Sequence, residues 1–375
     1  MGFAKILMDA NFEEKLRNKE IDLDSMDSQK RTLFIYAASH EKYANQLSLI
    51  LRYHKEWVQY QTYTRERNAL HTAVLLGNVK GLEVILQHGF NPNSLPVCRD
   101  SQKAIITATE KNNLEITKML VKYGAKVNER TPKLITPLSN AVRNRNMEMI
   151  KFLVENNANV NSSLQGGAII RMCIFRKHDE AAIYLAENGA RLTELSTLNH
   201  TIIHEAASRS ELSTLQYFYN KFPRIHDKTD RMETPLFSAC RWGNYENAKF
   251  LLDKGAEINI YNCEEESPLV TALMNGNIKL VKLLLKHGAS LELNYNKIEE
   301  TLFNRIQNRE IIELLINNGV SINVKNKDGK YKALGNFVRY YENIQFLNKY
   351  VDKMEPELEE VFLSNRFQYI LSVVD

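Results

Sequence analysis

Cysteine is scarce. The four residues, Cys98, Cys173, Cys240 and Cys263, lie far apart in a chain of 375, and none forms a CxxC pair. Such spacing argues against a zinc site and against a disulfide framework, and it fits a reducing compartment. Long apolar runs are missing as well. No stretch is long enough to span a bilayer, and the start, Met1-Gly2-Phe3-Ala4-Lys5-Ile6, is too short an apolar run for a secretory leader. Gly2 would suit N-myristoylation, but Ile6 stands where serine or threonine is required. Net charge is small too, +4 at pH 7. Only the placement of charge, not its amount, can then point to a partner. With 44% hydrophobic and 25% charged residues the composition is that of a folded protein. The expected setting is cytoplasmic, in the cytosol of its own cell or of a host.

What the chain does have is internal repetition. Thr234-Pro235-Leu236-Phe237-Ser238-Ala239 leads through Gly243-Asn244 and an apolar helix to Gly255-Ala256-Glu257-Ile258-Asn259. Near copies begin at Ser267-Pro268-Leu269 and Thr136-Pro137-Leu138, and weaker ones at Asn68, Lys103, Ala168, Thr201 and Thr301. Thr32 and Lys332 open the weakest. A small residue recurs at Ala73, Ala108, Ala141, Cys173, Ala206, Ala239 and Ala272, in steps of about 33 residues. Threonine or serine before proline starts a helix, because proline loses no needed donor at the first helical position. Leu280, Val281, Leu283, Leu284 and Leu285 show the helical spacing of the second segment. Gly89, Gly124, Gly189, Gly255, Gly288 and Gly319, with Asn157 in the same slot, predict left-handed helix ends.

Period, turn residues and helix spacing together resemble the ankyrin repeat family over about residues 32–350. Its Thr-Pro-Leu-His signature survives in damaged form as Ala69-Leu70-His71 and Ile202-Ile203-His204. The resemblance implies an all-α fold, an ankyrin-type helix-turn-helix repeat solenoid with terminal capping helices. Residues 1–31 would form an N-terminal capping helix and turn, with the helix over Phe3 to Leu16. Residues 32–352 would form an array of about ten repeats, and 353–375 a C-terminal capping helix around Leu358, Val361 and Phe362. A two-helix unit cannot bury its own apolar face, so stacking supplies the stability. Departures are expected at the insert around His54–Tyr63, at Phe222-Pro223, where no glycine ends the sixth unit, and in the short ninth unit, Thr301 to Gly319.

The array and its caps use the whole chain, leaving no segment for a catalytic domain, so the expectation is not an enzyme, with no cofactor and no metal. Gly166-Gly167 has no lysine-serine element behind it and is no phosphate loop. His71 and His204 occupy the signature histidine, where the resemblance implies a structural hydrogen bond. Glu264-Glu265-Glu266 reads as a solvated acidic tip, and Cys173 and Cys240 as small packing residues.

In ankyrin-like arrays the partner usually meets the concave side, built from hairpin tips and first helices. The resemblance therefore points to the residues just after the small pair of each first helix. Partner-binding candidates on this row are Leu75, Leu76, Lys111, Arg143, Phe175, Arg176, Arg209, Arg241, Trp242 and Met274. Every unit from the third to the seventh contributes a cation, and Phe175 and Trp242 stand among them. Arginine and tryptophan dominate interface hot spots. Secondary candidates are the tips Arg67, Ile135, His200, Arg231, Glu233 and Tyr261, and the C-terminal Tyr331, Tyr340 and Tyr341. The function expected is a macromolecule-binding scaffold or inhibitor that captures a protein partner with an acidic surface. Before binding, the chain is expected to be a monomer, with no membrane role. The alternatives are a nucleic-acid-binding repeat protein, with bases stacked on Trp242 and Phe175, or a host-directed adaptor or immunity-type protein blocking an effector. The tail, Glu355 to Asp375, shows no F-box-like pattern.

Overall fold

The structure, a computed structural model, describes residues 2–28, 31–54, 68–94, 102–164, 167–196, 198–291, 308–321, 345–356, 358–360 and 362–363. Within these residues the chain is a succession of short antiparallel helix pairs. Pair 1 is Leu33–Ala38 with Ala44–Tyr53, pair 2 Ala69–Leu76 with Val79–Gln87, and pair 3 Ala104–Glu110 with Leu114–Lys122. Pair 4 is Pro137–Arg143 with Met147–Glu155, pair 5 Ile169–Phe175 with Asp179–Glu187, and pair 6 Ile202–Arg209 with Leu212–Lys221. Pair 7 is Pro235–Trp242 with Tyr245–Asp253, and pair 8 Pro268–Met274 with Ile278–Lys286. Of the ninth unit the second helix, Arg309–Asn317, is described. The one strand pair among the described residues is a two-residue antiparallel ladder, Ser163 opposite Ala168 and Leu164 opposite Gly167, which leads into pair 5.

Capping explains where many of the helices start. Thr136 Oγ1 accepts from the Ser139 N–H (3.1 Å), and Ser139 Oγ accepts from the Thr136 N–H (2.9 Å), so two otherwise orphaned donors are satisfied reciprocally. The second helices of pairs 2, 3, 4, 7 and 8 start on asparagine. The Oδ1 of Asn78, Asn113, Asn146 and Asn277 accepts from the N–H three residues on, at 2.8 to 3.1 Å. At the other end, Gly255 (φ 85°) and Asn157 (φ 64°) are left-handed, as their slot requires. Pair 6 ends otherwise: Phe222 caps the helix at φ −155°, and the Arg224 guanidinium lies 4.5 Å from its ring centroid.

The chain divides into two compact units, Met1–Arg191 and Leu192–Asp375. In the first, one apolar cluster runs continuously from Phe3 to Ala125. It is sealed at its start by two short helices, Phe3–Leu7 and Phe12–Arg17, rather than by one over Phe3 to Leu16. Phe3, Leu7, Phe12 and Leu16 are all buried, and the Phe3 ring meets Tyr36 edge-on at 5.8 Å. In the second unit the first helices of pairs 6, 7 and 8 pack on one another in order. Beyond Arg309–Asn317, a 3-10 helix over Asn348–Lys353 buries Tyr350, and Leu347, Leu358 and Phe362 are buried beside it in sequence. The insert at residues 55–63, Thr301 to residue 307, Val361 and residues 364–375 lie outside the described residues.

Asparagines staple neighbouring pairs at the far end of the second helices. Asn128 donates from Nδ2 to Asn157 O (2.9 Å) and accepts at Oδ1 from the Asn159 N–H (2.7 Å). Asn93 does the same with Gly124 and Lys126, Asn161 with Gly189 and Arg191, and Asn259 with Gly288 and Ser290. Each staple uses both halves of one amide, which fixes the register of one pair on the next.

Candidate partner-binding surface

Both signature histidines are structural. His204 is fully buried; its Nδ1 accepts the Thr201 N–H (3.2 Å) and its Nε2 lies 3.0 Å from Glu233 O. Burial pushes its pKa down to about 4, so the imidazole is neutral at pH 7. His71 pairs through Nδ1 with Asn68 Oδ1 at 2.7 Å, inside the cap of its own helix. Cys173 and Cys240 are buried free thiols whose pKa burial raises to about 12, so neither forms a nucleophilic thiolate at neutral pH. Glu264 is engaged by Arg231, and Glu266 Oε2 accepts from Asn262 Nδ2 at 3.2 Å. Among the described residues, no group of three or more His, Cys, Asp or Glu could hold a metal ion.

In the first unit, Leu75 is half-buried and Leu76 is 57% exposed at the end of its helix. Lys111, Arg143 and Arg176 are exposed, and Phe175 is 64% exposed. These residues stand at or just past the last turn of the first helices of pairs 2 to 5. Among the described residues none of the three cations forms an ion pair.

The second unit treats its cations differently. Arg209 is half-buried, with its guanidinium carbon 3.9 Å from the centroid of the Trp242 ring. Trp242 remains 56% exposed, and Met274 is half-buried. Arg241 is committed internally: it donates to the buried carboxylate of Glu233, which Asn262 Nδ2 also approaches at 3.5 Å. Because Glu233 O also faces His204, one residue joins pair 6, pair 7 and the turn leading to pair 8. The sequence placed Glu233 at a hairpin tip as a contact residue; its side chain is instead an internal counter-ion.

The remaining tips fall in two groups. Ile135 and His200 are half-buried, and Arg231 is drawn to Glu264. Tyr261 is exposed. Leu134 (φ 60°) and Met232 (φ 61°) were not singled out from sequence, yet each exposes a large apolar side chain from a left-handed turn position. That conformation costs a residue with a Cβ about 1 kcal/mol or more. Arg67, Tyr331, Tyr340 and Tyr341 lie outside the described residues.

Stacked helix pairs whose ends expose rings and cations define a repeat protein that presents side chains from a periodic scaffold. The chain belongs to the ankyrin repeat family: the family model for ankyrin repeats matches residues 34–131, 105–196, 169–262 and 257–326. It is similar to the human transient receptor potential cation channel subfamily A member 1, 28% identical over 205 residues. That match covers 51% of this chain and 18% of the channel, so this chain spans under a fifth of the channel's length. A putative ankyrin repeat protein of fowlpox virus is 23% identical over 286 residues, covering 71% of this chain and 83% of the relative. Among solved structures, a complex of a predatory endopeptidase from Bdellovibrio bacteriovorus with an immunity protein matches at 26% identity and a TM-score of 0.46. It covers 49% of this chain and 98% of that one. No helix among the described residues is long and apolar enough to cross a membrane.

Proposed function

We propose that this chain is a non-catalytic scaffold or inhibitor that captures a protein partner on the ends of its first helices. One observation carries the reading. Leu76, Phe175 and Trp242 are the most exposed apolar residues of the helix pairs, and all three stand at one of two adjacent positions of the repeat. Isolated exposed hydrophobes need no purpose, but their recurrence at two adjacent repeat positions does. Arg209 holds the Trp242 ring from one side, so less side-chain freedom is lost when a partner covers the other. The free thiols of Cys173, Cys240 and Cys263 accord with a cytosolic setting.

The test is a Phe175→Ala, Trp242→Ala double variant of the full chain. Both side chains are exposed, so the melting temperature should stay within a degree or two of the parent. Loss of a central tryptophan anchor costs about 2 kcal/mol, or about thirtyfold in affinity. A quantitative pull-down should then show at least one protein retained by the parent chain and depleted on the variant. Identical protein profiles on both would remove this assignment of the surface.

A further inference from the structure

The cations of pairs 3 to 5 form a tighter group than the row read from sequence. These pairs turn from first to second helix at Asn112, Arg145 and Lys177, all left-handed, with φ of 56°, 54° and 54°. Pairs 2, 7 and 8 place Gly77, Gly243 and Gly276 in that slot. Asparagine tolerates the conformation; arginine and lysine do so only at a cost in backbone strain. Two successive pairs thus hold an exposed cation where glycine would be easier.

The three turns are tied to one another. Asn144 Nδ2 donates to Thr109 O (2.9 Å), Asn146 Nδ2 to Asn112 Oδ1 (2.8 Å), and Arg145 Nη2 to Lys177 O (3.0 Å). With the exposed Lys111, Arg143 and Arg176, five cations share this linked strip. None of the five has an ion-pair partner among the described residues. The nearby carboxylates Glu148 and Glu180 are taken by Lys118 (3.0 Å) and Lys151 (3.4 Å), while Glu110 is exposed at the edge of the strip. Helix C-termini attract cations, which accounts for Lys111, Arg143 and Arg176 but not for the strained Arg145 and Lys177, two and one positions further on. The buried His178 reports the same field: burial, and then the Arg145 charge, hold its pKa below the usual histidine value.

We infer that these turns bind an extended acidic segment of the partner protein, with a carboxylate at about every third residue. Stacked helices lie about 10 Å apart, and a segment in the extended polyproline II conformation rises about 3.1 Å per residue with three residues per turn, so every third side chain shares a face. Successive turns therefore meet positions i, i+3 and i+6 of the bound segment. A nucleic-acid duplex, with a charge every ~1.7 Å, fits this spacing less well, and the exposed Glu110 carboxylate opposes a phosphate backbone. The inference rests on the protein-capture reading above and adds the chemistry of what is captured.

Fluorescence anisotropy with the full chain tests it, using three labelled probes of equal charge. One peptide carries aspartate at every third position among glycine and serine, a second has the same composition with its aspartates contiguous, and the third is a single-stranded oligodeoxynucleotide. The spaced peptide should bind about fivefold or more tightly than the contiguous one. Lys177→Gly should weaken the spaced peptide about threefold while raising the melting temperature by about 2 °C, since it removes a charge and a strained conformation together. Lys177→Met, which keeps the strain, should weaken binding without the gain in stability. Equal binding of the two peptides, tighter binding of the oligonucleotide, or unchanged affinity in Lys177→Gly overturns the inference. A natural partner lost on the Phe175→Ala, Trp242→Ala variant but indifferent to Lys177→Gly leaves protein capture standing and removes the acidic-segment reading alone.

Discussion

Lowering the pH from 7 to 5 should weaken the C-terminal unit through His204 in particular. The imidazole has no exposure to solvent, and its Nδ1 faces the Thr201 N–H, a donor, at 3.2 Å. A proton on Nδ1 would give up the Thr201 N–H, leaving only Thr201 Oγ1 at 2.9 Å to accept, and would place a charge in a site shut off from solvent. The folded pKa is accordingly depressed from 6.5 to about 4, first by burial and then by the charge of His200. For a base held below its unfolded value, the unfolded chain takes up the proton first, so stability is full above pH 6.5. It declines as pH falls from 6.5 to 4 and levels off below that. The whole window is worth about 3 kcal/mol, from 1.36 kcal/mol per pKa unit, and about 2 kcal/mol of it is gone by pH 5. Urea unfolding of the parent chain and of His204→Gln at the two pH values isolates the contribution. The variant is less stable at pH 7 but should lose about 2 kcal/mol less than the parent on going to pH 5. Equal losses in both chains, or a His204 resonance titrating at 6.5 or above, would refute the reasoning.

Other perturbations probe the staples and the counter-ion. Asn128→Ala removes one donor and one acceptor from the joint between pairs 3 and 4. It should cost about 1–2 kcal/mol in chemical unfolding and speed hydrogen exchange at the Asn159 amide; unchanged exchange there would show that the staple does not hold the joint. Glu233→Gln keeps the shape of the buried carboxylate but leaves Arg241 without its counter-charge. Because Arg241 is partly exposed, water softens the loss to about 1 kcal/mol, and an unchanged melting temperature would argue against the pair as a structural element.

Much of the fold was legible because the repeat writes the same physics again and again. Thr136, Ser267 and their following prolines marked helix starts, and Gly255 and Asn157 marked helix ends, without any tertiary knowledge. The opening segment shows where the period misleads. A single helix over Phe3 to Leu16 would set Phe3 and Leu7 roughly opposite Phe12 and Leu16, and Asp9 breaks it. Its Oδ1 accepts from the Asn11 N–H (2.9 Å) and its carbonyl from Phe12, which restarts the helix while keeping the same four residues buried. Charge was less legible still. Arg209 and Arg241 occupy neighbouring repeats at nearly the same position, but one lies against a ring and the other is neutralised by Glu233, in the turn that opens its own pair. No count of like residues in a column distinguishes the two, since the deciding partner lies outside the column.

The most informative positions are those where a repeat breaks its own rule. Asn112 and Asn157 replace glycine at little cost, because a short amide side chain tolerates left-handed backbone. Arg145 and Lys177 do not have that excuse, and both side chains are exposed. Arg145 at least ties its turn to the next through Lys177 O, but the exposed Lys177 side chain gives its strained backbone no such return within the fold. A bound partner would supply that return. For Lys177 the two effects also separate experimentally, because glycine at the same position should make the chain more stable and less able to bind.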